Sequence, residues 1–257
     1  MKIIGIGGIF FKSEQAEKLT QWYKENLGIA QAFAWAEVDN KAPHYTTWKA
    51  LTGNSDVFDG TKKNMVIKYI VDDLDGFLKK LNADGIAANG KVEKDDKRKF
   101  ASVSDPEGNK FILWESNGDE PKIAIAYPDK VTGLGGVFFK SPDPKNLSQW
   151  YADHLGLDAT QWGCNFLWHD PNNLDERVPA ITVWNPFGVD TTYFNPSKGD
   201  FMFNYRVFNL VALLSKLEAS GVELPEALQE FSYGKFAWAI DPDGNKIELW
   251  EPVDDGF

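Results

Sequence analysis

Asp241-Pro242-Asp243-Gly244-Asn245-Lys246-Ile247-Glu248-Leu249-Trp250-Glu251 is a tight turn running into a strand. Proline presets φ at the first corner of such a turn, and a glycine such as Gly244 accepts the left-handed position that a β-carbon resists. The strand alternates, with Ile247 and Leu249 on one face and Lys246, Glu248 and Trp250 on the other. The same unit stands 136 residues earlier, as Asp105-Pro106-Glu107-Gly108-Asn109-Lys110-Phe111-Ile112-Leu113-Trp114-Glu115. The chain is a duplication, and its two copies differ where chemistry is expected: Glu248 in the second copy is Ile112 in the first.

Working outward, other segments repeat as well. Gly7-Gly8-Ile9-Phe10-Phe11-Lys12-Ser13 returns as Gly135-Gly136-Val137-Phe138-Phe139-Lys140-Ser141, and Trp22-Tyr23 and Leu27-Gly28 return as Trp150-Tyr151 and Leu155-Gly156, all at an offset of 128. By Tyr205 and Val207 the offset to Tyr69 and Val71 is 136, which implies eight extra residues in the second copy, expected in the loop-rich Cys164–Pro179 region. Ala16, Leu19, Trp22, Tyr23 and Leu27 follow a helical spacing that ends at Gly28, and Leu74, Phe77, Leu78 and Leu81 mark a second helix. Strands are expected at Ile3–Phe11, Phe33–Val38, Tyr45–Leu51, Met65–Val71, Phe100–Ser104 and Lys110–Glu115, so each quarter of the chain reads strand, helix, strands. The fold class is α+β, with a first domain over residues 1–118, a polar linker over 119–130 and a second domain over 131–257.

The 257 residues carry a net charge of −11 with no Lys/Arg cluster to offset it, which argues against nucleic acid as a partner. With 43% hydrophobic residues and ten Trp, the chain can bury real cores and line apolar pockets. A single cysteine, Cys164, rules out an intramolecular disulfide and a thiolate metal cluster. No stretch approaches the ~20 apolar residues of a membrane span, and no signal segment precedes the first strand. The expectation is a soluble cytoplasmic protein.

Tandem strand–helix–strands units, a helix bearing Trp-Tyr and Leu-Gly, and a closing Asp-Pro-x-Gly-Asn-Lys-x-x-Leu-Trp-Glu resemble the vicinal oxygen chelate superfamily. That group includes glyoxalase I, bleomycin- and fosfomycin-resistance proteins and extradiol dioxygenases. The resemblance covers nearly the whole chain and implies four βαβββ modules, paired into two pseudo-symmetric domains with cupped mixed sheets. It also implies, in enzymatic members, a divalent metal held by four strand positions, usually His or Gln on first strands and Glu on last strands. Counting along the second half places Gly136, Met202 and Glu248 at three of these and the Thr182–Trp184 region at the fourth; the first half offers Gly8, Val66, Ile112 and Thr47–Trp48. One carboxylate is too few for a catalytic divalent ion, which takes about three protein ligands. No metal or other cofactor is therefore expected.

The expected site is the second cup, binding a small aromatic or amphipathic molecule. Glu248 is the candidate general base or counterion. Asn204 and Arg206 share its face, and Lys246, Phe138, Trp184 and Trp250 complete the ligand-binding set, since aromatic walls suit a flat organic ligand. The bland alternative for Glu248 is an ion pair with Lys246 or Arg206. The first cup is expected to be structural or to hold a weaker site. Competing readings are a lyase, isomerase or dioxygenase, metal-dependent or using Glu248 as base, and a purely structural or partner-binding pair of domains. Glu115 and Glu251 are expected to cap or salt-bridge, His154 to be structural, and His169, near Asp170 and Asp175, to be solvated. Cys164 lacks a neighbouring base. Whether modules pair within one chain or across a homodimer stays open from sequence.

Overall fold

The computed structural model describes residues 1–29, 31–39, 42–94, 98–116, 130–169 and 179–253. The first half runs β1 (Ile3–Lys12), α1 (Ala16–Leu27), β2 (Ala32–Glu37), β3 (Pro43–Leu51), β4 (Met65–Val71), α2 (Leu74–Ala83), β5 (Glu93–Lys94), β6 (Arg98–Ser104) and β7 (Lys110–Ser116). The second runs β8 (Val131–Ser141), α3 (Pro144–Leu155), β9 (Cys164–His169), β10 (Ala180–Gly188), β11 (Phe201–Val207), α4 (Leu210–Ala219), β12 (Gln229–Phe231), β13 (Gly234–Ile240) and β14 (Lys246–Pro252). The α+β class and the module order agree with the sequence reading. The short β5 and β12 were not expected, and the expected linker lies largely outside the described residues.

All strands join one mixed sheet in the order β12-β13-β14-β11-β8-β10-β9-β2-β3-β1-β4-β7-β6-β5. Within each half the two first strands pair antiparallel, β1 with β4 and β8 with β11, so the modules pair within the chain. A two-residue contact between β2 and β9 joins the halves. The helix-bearing faces of both halves meet in one core, where Phe11 packs against Phe201 and Phe203 and Trp48 Nε1 donates to the Tyr205 hydroxyl at 2.8 Å. No helix among the described residues is long and apolar enough to cross a membrane.

Local chemistry fixes the element ends. Gly28, at φ 73°, closes α1 in the left-handed conformation and returns its N–H to Lys24, which a residue with a β-carbon resists. Asp73, Asp143 and Asn209 cap the other three helices through their side chains. Glu115 and Glu251, repeated in the two copies, accept from the first backbone N–H groups of α2 and α4 and pair with Lys99 and Lys235, as structural residues should.

The closing turns hold the halves together. Tyr23 of α1 donates to Asp241 at 2.9 Å, and Tyr151 of α3 donates to Asp105 at 3.1 Å, so the first helix of each half grips the last turn of the other. The same aspartates accept from the backbone and side chain of Asn245 and Asn109. Lys110 and Lys246 then reach carbonyls in the loop after the third strand of their own half, Asp59 at 2.9 Å and Tyr193 at 3.0 Å.

The position of the insertion needs correcting. Ala32 faces Thr47 and Asn165 faces Val183, which sets the offset at 133 for the second strands. Five of the eight extra residues therefore precede β9, around the Thr160–Gly163 bridge, and three fall in the β9–β10 hairpin, whose residues 170–178, including Asp170 and Asp175, lie outside the described chain.

Candidate functional site

On the sheet face turned away from the helices, one row crosses five strands of the second half. It runs Trp238 on β13, Glu248 on β14, Asn204 on β11, Gly136 on β8 and Val183 on β10, each directly beside the next. Glu248 is the only ionisable side chain in the row and is 2% exposed. Asn204 Nδ2 donates to its Oε1 at 2.5 Å, Trp238 Nε1 donates to Oε2 at 3.0 Å, and the Tyr193 hydroxyl also donates to Oε2. These uncharged donors, rather than Lys246 or Arg206, satisfy the carboxylate, so the alternative reading as an ion pair does not explain Glu248. Burial pushes its pKa above the usual carboxylate range, while the three donors and the charge of Lys246 pull it back.

Tyr193 is the residue the sequence reading missed. It lies in the loop between β10 and β11, with its ring stacked on Phe187 (5.6 Å, 11°) and edge-on to Trp238 (6.4 Å, 86°). Its neighbour Phe194 is fully buried among Phe138, Met202 and Trp238. Through these two side chains the loop covers Glu248, with Tyr193 itself 37% exposed. Its signal in the sequence is an aromatic pair, Tyr193-Phe194, where the first copy has Val57-Phe58. The alignment is supported by Lys140 standing over Phe194 at 5.5 Å and Lys12 over Phe58 at 5.2 Å.

The expected ligand-binding residues divide. Asn204, Phe138 and Trp250 share the cup face with Glu248. Arg206 does too, with its guanidinium 5.1 Å from the Trp250 ring and 5.7 Å from Trp168. The Lys246 ammonium lies at the base of the loop, bound to the Tyr193 carbonyl and to Glu226 Oε1 at 2.5 Å, so its hydrogen bonds hold the loop. Trp184 is a correction: it is fully buried on the helix side, against Tyr151 (4.8 Å) and Phe139 (5.3 Å), because β10 presents Val183 and not Trp184 to the cup. The histidines lie elsewhere. His44 Nε2 is 2.9 Å from Glu37 in a buried pair, His154 meets Asp84 at 2.8 Å, and His169 ends β9. Burial and Asp158 push the Cys164 thiol up to about 12.

No protein-family model and no curated protein matches the chain. Solved structures do. A Mn(II)-bound glyoxalase from Novosphingobium aromaticivorans matches at a TM-score of 0.63 and 13% identity, over 97% of this chain and 82% of that one. A catechol 2,3-dioxygenase matches at 0.61 and 14%, over 100% and 91%. A 2,2',3-trihydroxybiphenyl 1,2-dioxygenase from Sphingomonas wittichii strain RW1 matches at 0.62 and 11%, over 99% and 93%. The chain has the vicinal oxygen chelate fold.

The metal positions that the resemblance implies lie along this row. The position of Met202 is corrected to Asn204, and in the first half that of Val66 to Lys68, each two residues further on. The reason is physical: the β8–β11 and β1–β4 ladders each contain two register shifts, so counting along a regular ladder from Val207 or Val71 overshoots. With the row corrected, the positions that the resemblance implies in the second half fall on Gly136, Asn204 and Glu248, with Val183 beside Gly136. Asn204 Oδ1 is buried without a partner, but it is one amide oxygen, and both carboxylate oxygens already accept from protein donors. One carboxylate and one amide do not fit a site that takes about three protein ligands. Among the described residues no three His, Cys, Asp or Glu side chains come together to hold a metal ion.

Gly135 and Gly136 make this floor possible. A Cβ on Gly136 would come within 2.8 Å of the Phe138 ring, and one on Gly135 would collide with Asn204 Oδ1. The glycine pair is what lets Asn204 lie flat against β8 and reach Glu248.

Proposed function

We propose that the second half binds a small aromatic molecule carrying a hydrogen-bond donor, which takes the place of Tyr193 on Glu248. The observation that carries this reading is the make-up of the Glu248 shell. Two donors come from strands, but the third is a phenol from a loop, stacked on Phe187 and edge-on to Trp238. Exchanging one phenol for another conserves the hydrogen bond to the buried carboxylate, so the exchange avoids leaving that acceptor unpaired, which would cost ~1–3 kcal/mol or more. Two of the similar solved structures are named for enzymes acting on hydroxylated aromatics, catechol and trihydroxybiphenyl, which supports the ligand class. The cup works through Glu248 and uncharged donors, without a metal ion, as a binding site.

A second reading is favoured by the raised pKa of Glu248: the carboxylate accepts a proton from the bound ligand and so acts as a general base in a lyase or isomerase reaction. Turnover lost in Glu248→Gln with binding retained would select it.

The test is a calorimetric titration of the wild type, Tyr193→Ala and Glu248→Gln with phenol and with anisole, which has the ring but no donor. Phenol should bind Tyr193→Ala more tightly than the wild type, and anisole should bind that variant at least about tenfold more weakly than phenol, the worth of one hydrogen bond to a charged group. Equal affinity for the two probes, or none for either, would overturn the proposal. So would one equivalent of tightly bound divalent metal in the purified protein.

A further inference from the structure

The geometry points to a separate site between the halves: a cleft that takes a small organic carboxylate. It opens where the end of β1 and the start of α1 face the closing turn of the second half. The duplication repeats this meeting, with the end of β8 and the start of α3 facing the closing turn of the first half. Lys12, Asn64 and Asn245 line the one space where Lys140, Asp200 and Asn109 line the other, so the two are the same place in the two copies.

They differ in size. The space beside α3 is about 20 Å³, whereas the cleft beside α1 is about 910 Å³. Two exchanges between the copies account for this. Lys63 lines the small space where Gly199 lines the large one, and Glu107 of the first closing turn is Asp243 in the second. Tyr151 and Tyr23 hold the two turns in the same way, so it is side-chain length that decides whether the gap is bridged.

Glu107 shows what such a place binds. Its Oε1 accepts from Ser141 Oγ at 2.7 Å and from the Asp143 backbone N–H at 3.3 Å, and that N–H also donates to Ser141 Oγ at 3.1 Å. Ser13 and Gln15 repeat the last bond at the same 3.1 Å, but Asp243, one methylene shorter than glutamate, bonds to neither. Ser13 is 5% exposed, and among the described residues no acceptor takes its hydroxyl proton. Lys12 lines the same cleft, rests over Phe58 at 5.2 Å and forms no ion pair among the described residues. A hydroxyl, a backbone N–H and an ammonium around an open space complement a carboxylate. The ligand's carboxylate takes the position that the Glu107 carboxylate holds in the other copy, with its apolar body along Phe201 and Pro242. This site is independent of the phenol reading, because it shares no residue with the second cup.

The probe is 3-phenylpropionate, titrated into the full chain by calorimetry and by NMR of the Gln15 amide, with 3-phenylpropanamide as the uncharged control. The acid should bind and shift the Gln15 amide, and the control should bind at least about tenfold more weakly, the worth of one charge-assisted contact. Ser13→Ala should lose about tenfold in affinity for the acid by the same reasoning. Asp243→Glu should abolish binding, because the longer side chain fills the site as Glu107 does in the other copy. Thermal unfolding of each variant confirms that it is folded, and Asp243→Glu keeps the test available should Ser13→Ala unfold. Phenol binding by Tyr193→Ala should be the same with and without Ser13→Ala, which separates this inference from the one above. No binding of the acid, equal binding of acid and control, or undiminished binding in folded Ser13→Ala or Asp243→Glu would each overturn the inference.

Discussion

Replacing Tyr193 with Phe removes one oxygen and leaves the ring between Phe187 and Trp238. Glu248 keeps Asn204 and Trp238 as donors but loses the third. A hydrogen bond to a charged, buried group is worth ~1.5–3 kcal/mol, so the folded state should lose about that much at neutral pH. In a chain of about this size each kcal/mol moves Tm by about 2–4 °C, which gives a fall of roughly 3–12 °C. The pH dependence is the sharper test. Burial holds the folded-state pKa of Glu248 above its unfolded value, so ionised Glu248 weakens the folded state at neutral pH. That penalty is relieved as pH falls through the folded value towards the unfolded value of about 4.3. Tyr193 is among the donors that pull the folded pKa back down, so losing its hydroxyl should raise that pKa further. The deficit of Tyr193→Phe should therefore be full at neutral and alkaline pH and shrink on acidification, vanishing before the unfolded value is reached. Urea unfolding midpoints across that range measure it. A deficit that is flat, or that grows on acidification, would show that the hydroxyl does not serve the ionised carboxylate and would remove the basis for a replaceable phenol.

Three other outcomes follow from the geometry. Tyr23→Phe and Tyr151→Phe should each cost ~1.5–3 kcal/mol in urea unfolding, because each leaves a buried aspartate one donor short, and the double variant should lose about the sum of the two. Gly135→Ala should cost about 1–3 kcal/mol by overpacking and should also weaken phenol binding to Tyr193→Ala, since the new methyl pushes Asn204 off Glu248; intact binding would show that Asn204 is not needed there. Cys164 should stay unreactive towards a thiol reagent at pH 8 in the folded protein and react fully in urea, because burial holds it as the thiol.

Much of the fold was legible because it is written twice. The paired closing turns and the repeated helices locate the modules, and the alternation in Lys246–Trp250 puts Glu248 on the correct face. What the sequence obscured traces to particular departures from regularity. Register shifts in β1 and β8 moved the ladder by two residues, so Met202 was read where Asn204 stands. The strand of Trp184 is hydrophobic on both faces, which gives a period-two reading nothing to choose between. Tyr193 lies in a loop, where no periodicity marks a side chain as inward. Its contact with Glu248 joins residues 55 apart in sequence, and only folding brings them together.

The exchanged grips of Tyr23 on Asp241 and Tyr151 on Asp105 carry a consequence for ancestry. A single-copy precursor with one such tyrosine and one such aspartate would form both bonds only by embracing a twin across a twofold axis. Fusion of the two genes makes that embrace permanent, and it frees each cup to change without its sister. Glu248 and Tyr193 in one hollow, with Ile112 and Val57 at the matching positions of the other, are what such divergence leaves behind, and either half expressed alone should return to pairing with itself.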